Sequence, residues 1–207
     1  MAKRRVIDPT GYCHVTSRGN YRHTIFVDAN HYERHLMMVE EVARKFGWLV
    51  LDWCHLPNHF HLFLRLQDGG LSEGMQRLNG GFSRWTNAVH GRTGIGHLVK
   101  NRFVSKPVDH QSHLLEMCRY LPLNPVAAGL ASQADEWRWS GYSATAGLAH
   151  PRPFHRPELV LRFFHEEPSE ARLRLAAWIE DGHAELKRLR RQGKPESRHS
   201  PRGLTRP

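Results

Sequence analysis

Residues 48–66 read WLVLDWCHLPNHFHLFLRL, which is two largely apolar runs on either side of Pro57-Asn58. The first run, Trp48–Leu56, has the length and the low polarity of a buried strand. Pro57-Asn58 predicts a turn, and the second run, His59–Leu66, predicts another strand. Because so short a turn leaves the two strands side by side, we expect an antiparallel hairpin.

The second strand is expected to have two chemically different faces, because successive side chains of a strand point to opposite sides. One face carries four apolar residues: Phe60, Leu62, Leu64 and Leu66. The opposite face carries His59, His61, Phe63 and Arg65. The sequence therefore places two histidines side by side, with Phe60 anchored on the other side of the strand.

Hydrophobic periodicity and turn residues predict the other elements. They are a strand over Tyr12–Ser17; a helix from Asp28 to Gly47, capped by Asp28 or Asn30; a helix from Ser72 to about His90; a short strand or ordered loop over 102–108; a helix over Ser112–Leu121, capped by Ser112 and disturbed at its end by Pro122 and Pro125; a packed loop over 134–146; and a helix over 169–192. This pattern is typical of an α+β fold in which helices pack on an antiparallel sheet.

We expect one domain over residues 1–150 and a basic helical extension over 151–207 that ends in a disordered tail.

The chain is strongly basic, since 30 Lys and Arg against 20 Asp and Glu give its 207 residues a formal net charge of +10. Such an excess indicates nucleic acid as the first partner to consider and an anionic membrane surface as the second. No stretch approaches the roughly 18 apolar residues of a membrane span. The N-terminal residues also lack the apolar core of a signal peptide. We therefore expect a cytoplasmic protein.

His59 and His61 are the strongest local indication of chemistry. At positions i and i+2 of a strand their imidazoles lie side by side, which suits two ligands of one metal ion. The cysteines at 13, 54 and 118 form no C-x-x-C pair, so a cysteine-rich zinc site is not expected. Two histidines beside an oxygen ligand and a phosphate favour Mg²⁺ or Mn²⁺. The alternative is that His-x-His arises by chance in a chain with 16 histidines.

Three other segments accompany LPNHFHL at 56–62 in a fixed order: YCHVTSRGN at 12–20, residues 96–103, and RYLPLNPV at 119–126 followed by Ala128-Gly129-Leu130. In this order and spacing the chain resembles the single-tyrosine HUH transposases of the insertion-sequence type, in particular the branch of REP-associated tyrosine transposases. The resemblance covers about residues 10–146. It implies the HUH endonuclease, or ferredoxin-like palm, form of the predicted α+β fold.

The resemblance also implies a metal-dependent transposase that nicks and rejoins single-stranded DNA, with hairpins or REP-like elements as its substrate. His59 and His61 would bind Mg²⁺ or Mn²⁺, and Asn124, one helical turn after Tyr120, would be a third ligand. Tyr120 would attack the scissile phosphate and form a 5′-phosphotyrosine, leaving a 3′-OH that can reverse the step. From the helix pattern alone, Tyr120 also has the ordinary interpretation of a core ring with its hydroxyl in water.

Pro122 departs from the pattern of the related proteins, which usually have another residue at this position. Because a proline inside a helix removes an N–H and kinks the chain, Asn124 could be displaced from the metal ligands. This departure keeps open a second hypothesis, a domesticated DNA-hairpin binding protein without turnover. A third hypothesis is a zinc hydrolase built on His59 and His61, for which the sequence offers no further strong ligand nearby.

Candidate DNA contacts are polar and basic residues near these motifs and at the end of the last helix, and a solvated surface charge is the ordinary alternative for each of them. They are Arg18, Asn20, Arg22, Arg84, Arg102, Lys106, Lys187, Arg188, Arg190 and Arg191. Trp53, Trp85 and Phe103 could stack on bases, although the helical spacing of Trp85 favours the core. His14 is expected to make a structural hydrogen bond, with a phosphate contact as the alternative. Many relatives in the wider family are dimers, but the resemblance to the REP-associated branch with a C-terminal extension implies a monomer rather than a homodimer, acting at a bacterial nucleoid.

Overall fold

The computed structural model describes residues 11–91, 98–99 and 102–192. Ten strands and helices follow one another in this part of the chain. They are β1 (Tyr12–Arg18), α1 (Ala29–Phe46), β2 (Trp48–Leu56), β3 (His59–Leu66), α2 (Leu71–Val89), β4 (Val104–Pro107), α3 (Gln111–Ala127), α4 (Tyr142–Thr145), α5 (Pro157–Leu161) and α6 (Pro168–Arg191). Short 3-10 turns cover Asn20–Arg22 and Ala134–Glu136.

The strands form one four-stranded sheet in the order β2-β3-β1-β4. β1 pairs antiparallel with both of its neighbours, and its Thr16 lies opposite His61 of β3. The two strands predicted over residues 48–56 and 59–66 are confirmed with the same bounds. Residues 102–108 contain a true strand, β4, at the edge of the sheet. The predicted α+β fold with an antiparallel sheet is therefore confirmed.

Helix α1 begins and ends as its sequence predicts. The Asp28 side chain accepts the backbone N–H of His31 at 3.0 Å and so caps the first turn. Gly47 ends the helix in the left-handed region, with φ of 64°, where glycine has no Cβ to clash. Between these ends, Leu36 and Val39 are fully buried, as the helical spacing of apolar residues requires.

An aromatic cluster joins both helices of the first half to the sheet. Phe26 packs against Phe82 of α2 and His55 of β2, while His35 of α1 lies 4.4 Å from Phe60 of β3 between ring centres. His35 and His55 are fully buried and share a hydrogen bond of 2.7 Å between Nδ1 and Nε2. Burial lowers the pKa of His35 to about 3, so this imidazole stays neutral in the folded protein.

Helix α3 differs from its prediction at both ends. It begins after His110, whose side chain makes no capping hydrogen bond, and not at Ser112. It also continues through Pro122 and Pro125 to Ala127, so the two prolines do not end it. A proline removes one hydrogen bond of the helix, but the apolar residues of this last part are buried, and that burial stabilises the helical conformation despite the loss.

Helix α6 packs closely along α3. The Trp178 indole N–H donates to the carbonyl of Leu115 at 3.0 Å, and the Arg119 guanidinium lies 4.3 Å from the centre of the Trp178 ring. At Gly182 a Cβ would lie only 2.4 Å from Arg119 Cδ, so the absence of a side chain permits the close approach. Arg190 donates to the carbonyls of residues 126 and 127 and so caps the last turn of α3.

Two segments contain more regular structure than predicted. The packed loop expected over 134–146 includes a 3-10 turn and helix α4. Helix α5 was not predicted, although Pro157 at its first position is a common start for a helix. The helix predicted over 169–192 is confirmed as α6.

The chain divides into two compact units, residues 1–50 with 55–107 and residues 51–54 with 108–207. The boundary predicted at residue 150 stays a prediction, and the predicted disordered tail lies outside the described residues, which end at 192. In the described part of the chain no helix combines the length and the apolar character needed to cross a membrane.

Gly74 tests how closely α2 must approach the sheet. A Cβ at this position would overlap the six-membered ring of Trp48, which is buried. We expect Gly74→Ala to lower the free energy of unfolding by about 1–3 kcal/mol through overpacking. Urea denaturation measures this change, and a stability equal to that of the wild type would contradict it.

The matched control is Gly81→Ala in the same helix. Its Cβ would meet the Met38 sulfur at 3.9 Å, which is ordinary contact. Because alanine favours a helix over glycine, the control is expected to keep or raise stability by up to ~1 kcal/mol.

Buried His35 predicts a loss of stability in acid. The pKa of His35 is about 3 in the folded protein and 6.5 in its ordinary state, so below pH 6.5 the unfolded chain binds a proton that the folded chain does not. Stability present above pH 6.5 is then lost as the pH falls toward 3, by up to ~1.4 kcal/mol per pH unit for one such group. We expect His35→Gln to reduce the slope of the unfolding free energy against pH between pH 6 and pH 5 by about 1.4 kcal/mol per pH unit, which corresponds to one proton. Urea denaturation at several pH values measures it, and an unchanged slope would refute this assignment.

Candidate active site

The paired histidines of β3 lie on the face of the strand opposite Phe60. The ring centres of His59 and His61 are 4.9 Å apart, and Phe60 between them is fully buried in the aromatic cluster. The predicted alternation therefore places the imidazoles next to each other on one face. His61 is buried and His59 is half-buried.

His61 is held through its Nδ1 atom by two residues of β1. Nδ1 lies 2.8 Å from His14 Nε2 and 3.0 Å from Thr16 Oγ1. Both partners are on the same face because positions i and i+2 of a strand share a face, and Thr16 is opposite His61 in the sheet. Thr16 Oγ1 and His14 Nε2 can each donate or accept, so these contacts fix the orientation of the His61 ring, and the position of its proton depends on the tautomer of His14.

His59 is held in the same manner by its neighbour in the turn. Its Nδ1 lies 2.6 Å from Asn58 Oδ1, while Asn58 Nδ2 donates to the carbonyl of Arg22 at 3.1 Å. The second hydrogen bond orients the amide, so its oxygen faces His59 and must accept. His59 therefore carries its proton on Nδ1 and offers a lone pair on Nε2. In metal sites of proteins, ligand histidines are oriented by such outer partners.

Both imidazoles are neutral near pH 7. Burial lowers the pKa of His59 to about 4, and the nearby Arg18 charge acts in the same direction. Burial is the main cause that lowers the pKa of His61 well below its ordinary value, and electrostatic interactions with His14 and His59 act in the same direction. A metal ion binds neutral imidazole, so the pair fits two ligands of a divalent ion. Among the described residues, no group of three or more His, Cys, Asp or Glu could hold such an ion.

Two of the predicted DNA contacts lie beside these histidines. Arg18, at the exposed end of β1, is opposite His59, and Lys106 of β4 is opposite His14. Lys106 is half-buried, and burial lowers its pKa. Asn20, half-buried, follows in the 3-10 turn after β1. This part of the sheet thus combines neutral imidazoles with flanking cations, and cations of this kind can bind a phosphate.

The other predicted contacts lie elsewhere. Arg84 on α2 and Arg102 are exposed, and the cluster over 187–191 is at the end of α6. Lys187 and Arg191 are exposed there, while Arg188 forms an ion pair with Glu185 at 2.8 Å. Arg190 is the residue that caps α3.

The aromatic candidates for base stacking are poorly placed for that role. Trp53 is buried at 3 % exposure and packs on Phe154, so it is a core residue and the prediction for it was wrong. Trp85 is half-buried and lies against Phe82, which confirms its interpretation as a packing residue. Phe103 is also half-buried.

Tyr120 and Asn124 lie in a groove along α3 and α6. Its lining residues are Glu116, Arg119, Tyr120, Leu123, Asn124, Ala127 and Leu186. Because α3 continues through Pro122, Tyr120 and Asn124 are one helical turn apart, and the displacement of Asn124 that a kink implied does not follow. Asn124 Nδ2 donates to the carbonyl of Tyr120 at 2.7 Å, which directs Oδ1, the atom able to bind a cation, away from the helix backbone.

The sequence did not identify the partners that orient the histidines. His14 was expected to make a structural hydrogen bond, but its target could not be known without the pairing register of β1 and β3. Asn58 was interpreted only as a turn residue. Its position directly before the first histidine was the available signal, since amides in turns often bond to neighbouring groups.

Comparison with known proteins gives a family and a fold. The family model described as "Transposase IS200 like" matches residues 9–122. The structure of a REP-associated tyrosine transposase bound to a REP hairpin is similar with a TM-score of 0.60 and 19 % sequence identity, over 76 % of this chain and 89 % of that chain. The crystal structure of a presumptive transposase from Deinococcus radiodurans R1 has a TM-score of 0.42 and 18 % identity, over 54 % of this chain and 89 % of that chain. No curated protein matches.

Proposed function

This chain belongs to the IS200-like transposase family, and from that membership we propose that it nicks and rejoins single-stranded DNA through a covalent bond to Tyr120. The observation that carries the proposal is the pair His59 and His61, neutral, side by side on one face of β3 and each held through its Nδ1 atom. The similar fold of a transposase bound to a REP hairpin supports a DNA hairpin as the substrate, and supports a place in the REP-associated branch.

His59 and His61 are the residues that would hold a divalent ion, Mg²⁺ or Mn²⁺. When bound, the ion supplies electrostatic stabilisation of charge on the scissile phosphate. His14 and Thr16 orient His61, and Asn58 orients His59, so that the two rings need not reorganise. In our proposal Asn124 contributes its Oδ1 as a further oxygen ligand.

Tyr120 is proposed as the nucleophile. Its phenolic oxygen loses its proton and bonds to phosphorus, while the bond from phosphorus to the 3′-oxygen of the departing strand breaks. The departing oxygen takes up a proton and becomes a 3′-OH. The phosphotyrosine conserves the energy of the broken bond, so the 3′-OH of another strand can attack it and restore Tyr120.

Arg18 and Lys106 are proposed to bind phosphates next to the histidine pair, and Asn20, Arg84 and Arg102 are proposed as further DNA contacts. The cluster over 187–191 would add a salt-sensitive attraction to the backbone of the DNA. A monomeric state, a cytoplasmic location at the nucleoid and the extent of the domain over 1–150 stay predictions.

A hairpin-binding protein without turnover is the second candidate. Pro122, the departure from the pattern of the related proteins, is the residue that suggests it, although α3 continues through this position to Ala127. The two functions differ in one product, a covalent protein–DNA adduct.

Tyr120→Phe tests the nucleophile. We expect it to abolish a covalent adduct with labelled hairpins taken from the flanks of the protein's own gene, because only the reacting hydroxyl is lost. Affinity for the same DNA should change less than about threefold, which is under ~0.7 kcal/mol.

Denaturing gels with Mg²⁺ or EDTA detect the adduct. The matched control is Tyr142→Phe, at a buried tyrosine outside the groove, and it should keep the adduct. An adduct that persists in Tyr120→Phe would remove Tyr120 from its role, and binding without any adduct in the wild type would favour the second candidate.

Mn²⁺ binding tests the metal site without reference to activity. We expect His59→Ala and His61→Ala to abolish binding measured by titration with electron paramagnetic resonance. Asn58→Ala should weaken it about 10–100-fold, because His59 loses the partner that fixes its tautomer. Asn58→Asp keeps the acceptor for Nδ1 but loses the hydrogen bond to the Arg22 carbonyl and adds a negative charge, so it should bind Mn²⁺ more tightly than Asn58→Ala. Equal Mn²⁺ affinity in all four variants would place the ion elsewhere.

A further inference from the structure

The segment after β1, residues 18–23 with the sequence RGNYRH, presents an aromatic ring to solvent. Tyr21 is 94 % exposed, whereas the next most exposed large apolar side chain in the described part of the chain, Leu173, is 68 % exposed. A tyrosine ring has a large apolar surface, and in folded proteins part of that surface is usually covered. This degree of exposure therefore needs an explanation other than packing.

The backbone of this segment is unfavourable for the residues it carries. Tyr21 has φ of 50° and ψ of 24°, and Arg22 has φ of 61°. These are left-handed conformations that glycine adopts without strain and bulky L-residues rarely adopt. Strain of this kind persists only where the surrounding structure imposes it, and it concentrates at functional sites.

The surrounding structure does impose it. The Gly19 N–H donates to the carbonyl of Asn58 at 2.9 Å, and Asn58 Nδ2 donates to the carbonyl of Arg22. After the segment, the N–H groups of Ile25 and Phe26 donate to the carbonyl of Pro57 at 2.8 and 2.9 Å. Both of these residues are almost fully buried, so the segment is fixed on each side of Tyr21.

The same contacts connect the segment to the histidine pair. Asn58 bonds to Arg22 through Nδ2 and to His59 through Oδ1, so one side chain links the backbone beside Tyr21 to a proposed metal ligand. Arg18 is opposite His59 in the sheet. Arg18 and Arg22 are exposed cations, and residues 11–27 contain no Asp or Glu. A polyanion next to His59 would thus meet a rigid, positively charged segment.

We propose that Tyr21 is a stacking site for one unpaired nucleobase of the DNA strand that binds beside His59 and His61. The inference rests on the proposed function and adds a subsite to it. An exposed aromatic ring stacks on any base, since every base has a π-face, and neighbouring arginines bind the adjacent phosphates. A base held on a rigid ring fixes which phosphate of a flexible strand lies at the histidine pair.

Tyr21→Gly separates base stacking from a structural role, because stability should not fall while the affinity for DNA should. Glycine relieves the left-handed strain, so the midpoint of urea denaturation should rise or stay unchanged. The affinity for an unstructured oligo-dT of about 12 nucleotides, measured by fluorescence anisotropy, should fall about 5–100-fold, as loss of one stacked base implies. Tyr21→Phe and Tyr21→Trp should retain the affinity. Leu148→Ala, which truncates a side chain exposed to 67 % in the other unit, is the matched control and should not change it.

An abasic scan identifies the stacked base. In the wild type, removing the base at one position of the hairpin's single-stranded flank should weaken binding, and in Tyr21→Gly the same removal should have no further effect. Unchanged DNA affinity in Tyr21→Gly, or an additive effect at every abasic position, would overturn the proposal. A change in oligomeric state with unchanged DNA affinity, measured by sedimentation, would also overturn it and assign Tyr21 to contact with a second copy.

The covalent assay distinguishes failure of this inference from failure of the proposed function. If Tyr120→Phe abolishes the adduct but Tyr21→Gly binds DNA normally, only the stacking site is refuted. If the wild type forms no adduct but Tyr21→Gly loses DNA affinity, stacking is supported and the proposed nuclease chemistry is refuted.

Discussion

The alternation of side chains along β3 is the constraint on which the candidate site depends. A strand has a period of two residues, so fixing Phe60 in the aromatic cluster also fixes the direction of His59 and His61. A shift of one residue in the pairing of β3 with β1 would exchange the two faces and would separate His61 from Thr16. The core of the first unit thereby sets the geometry of the chemistry, and packing and function cannot vary independently.

Short-range patterns in the sequence were sufficient for most of this fold. The hairpin over residues 48–66, the cap at Asp28 and the stop at Gly47 each follow from residues adjacent in the chain. The histidine pair followed from the same logic, since its spacing matches the period of a strand. Family resemblance added Tyr120 and Asn124, which the helix pattern alone did not distinguish from packing residues.

What the sequence could not supply were contacts between distant segments. The role of His14 depends on the pairing register of β1 and β3, because its partner His61 lies 47 residues away in the sequence. Helix α3 continues past Pro122 because its last turns are buried and because α6 packs against it. A local rule about proline takes neither of these tertiary contacts into account. Trp53 was misinterpreted for the same reason, because only the folded chain shows Phe154 beside it.

The contacts of Arg188 and Arg190 change how the basic character of α6 should be understood. One guanidinium is compensated by Glu185 and the other holds the last carbonyls of α3, so part of the charge in this helix serves the protein itself. The attraction between a protein and DNA depends on counterions released from phosphates, one for each cation that replaces them. In the proposed contact with DNA, the formal charge therefore overstates how many counterions this helix can displace, and Lys187 and Arg191 are expected to carry most of the dependence on ionic strength.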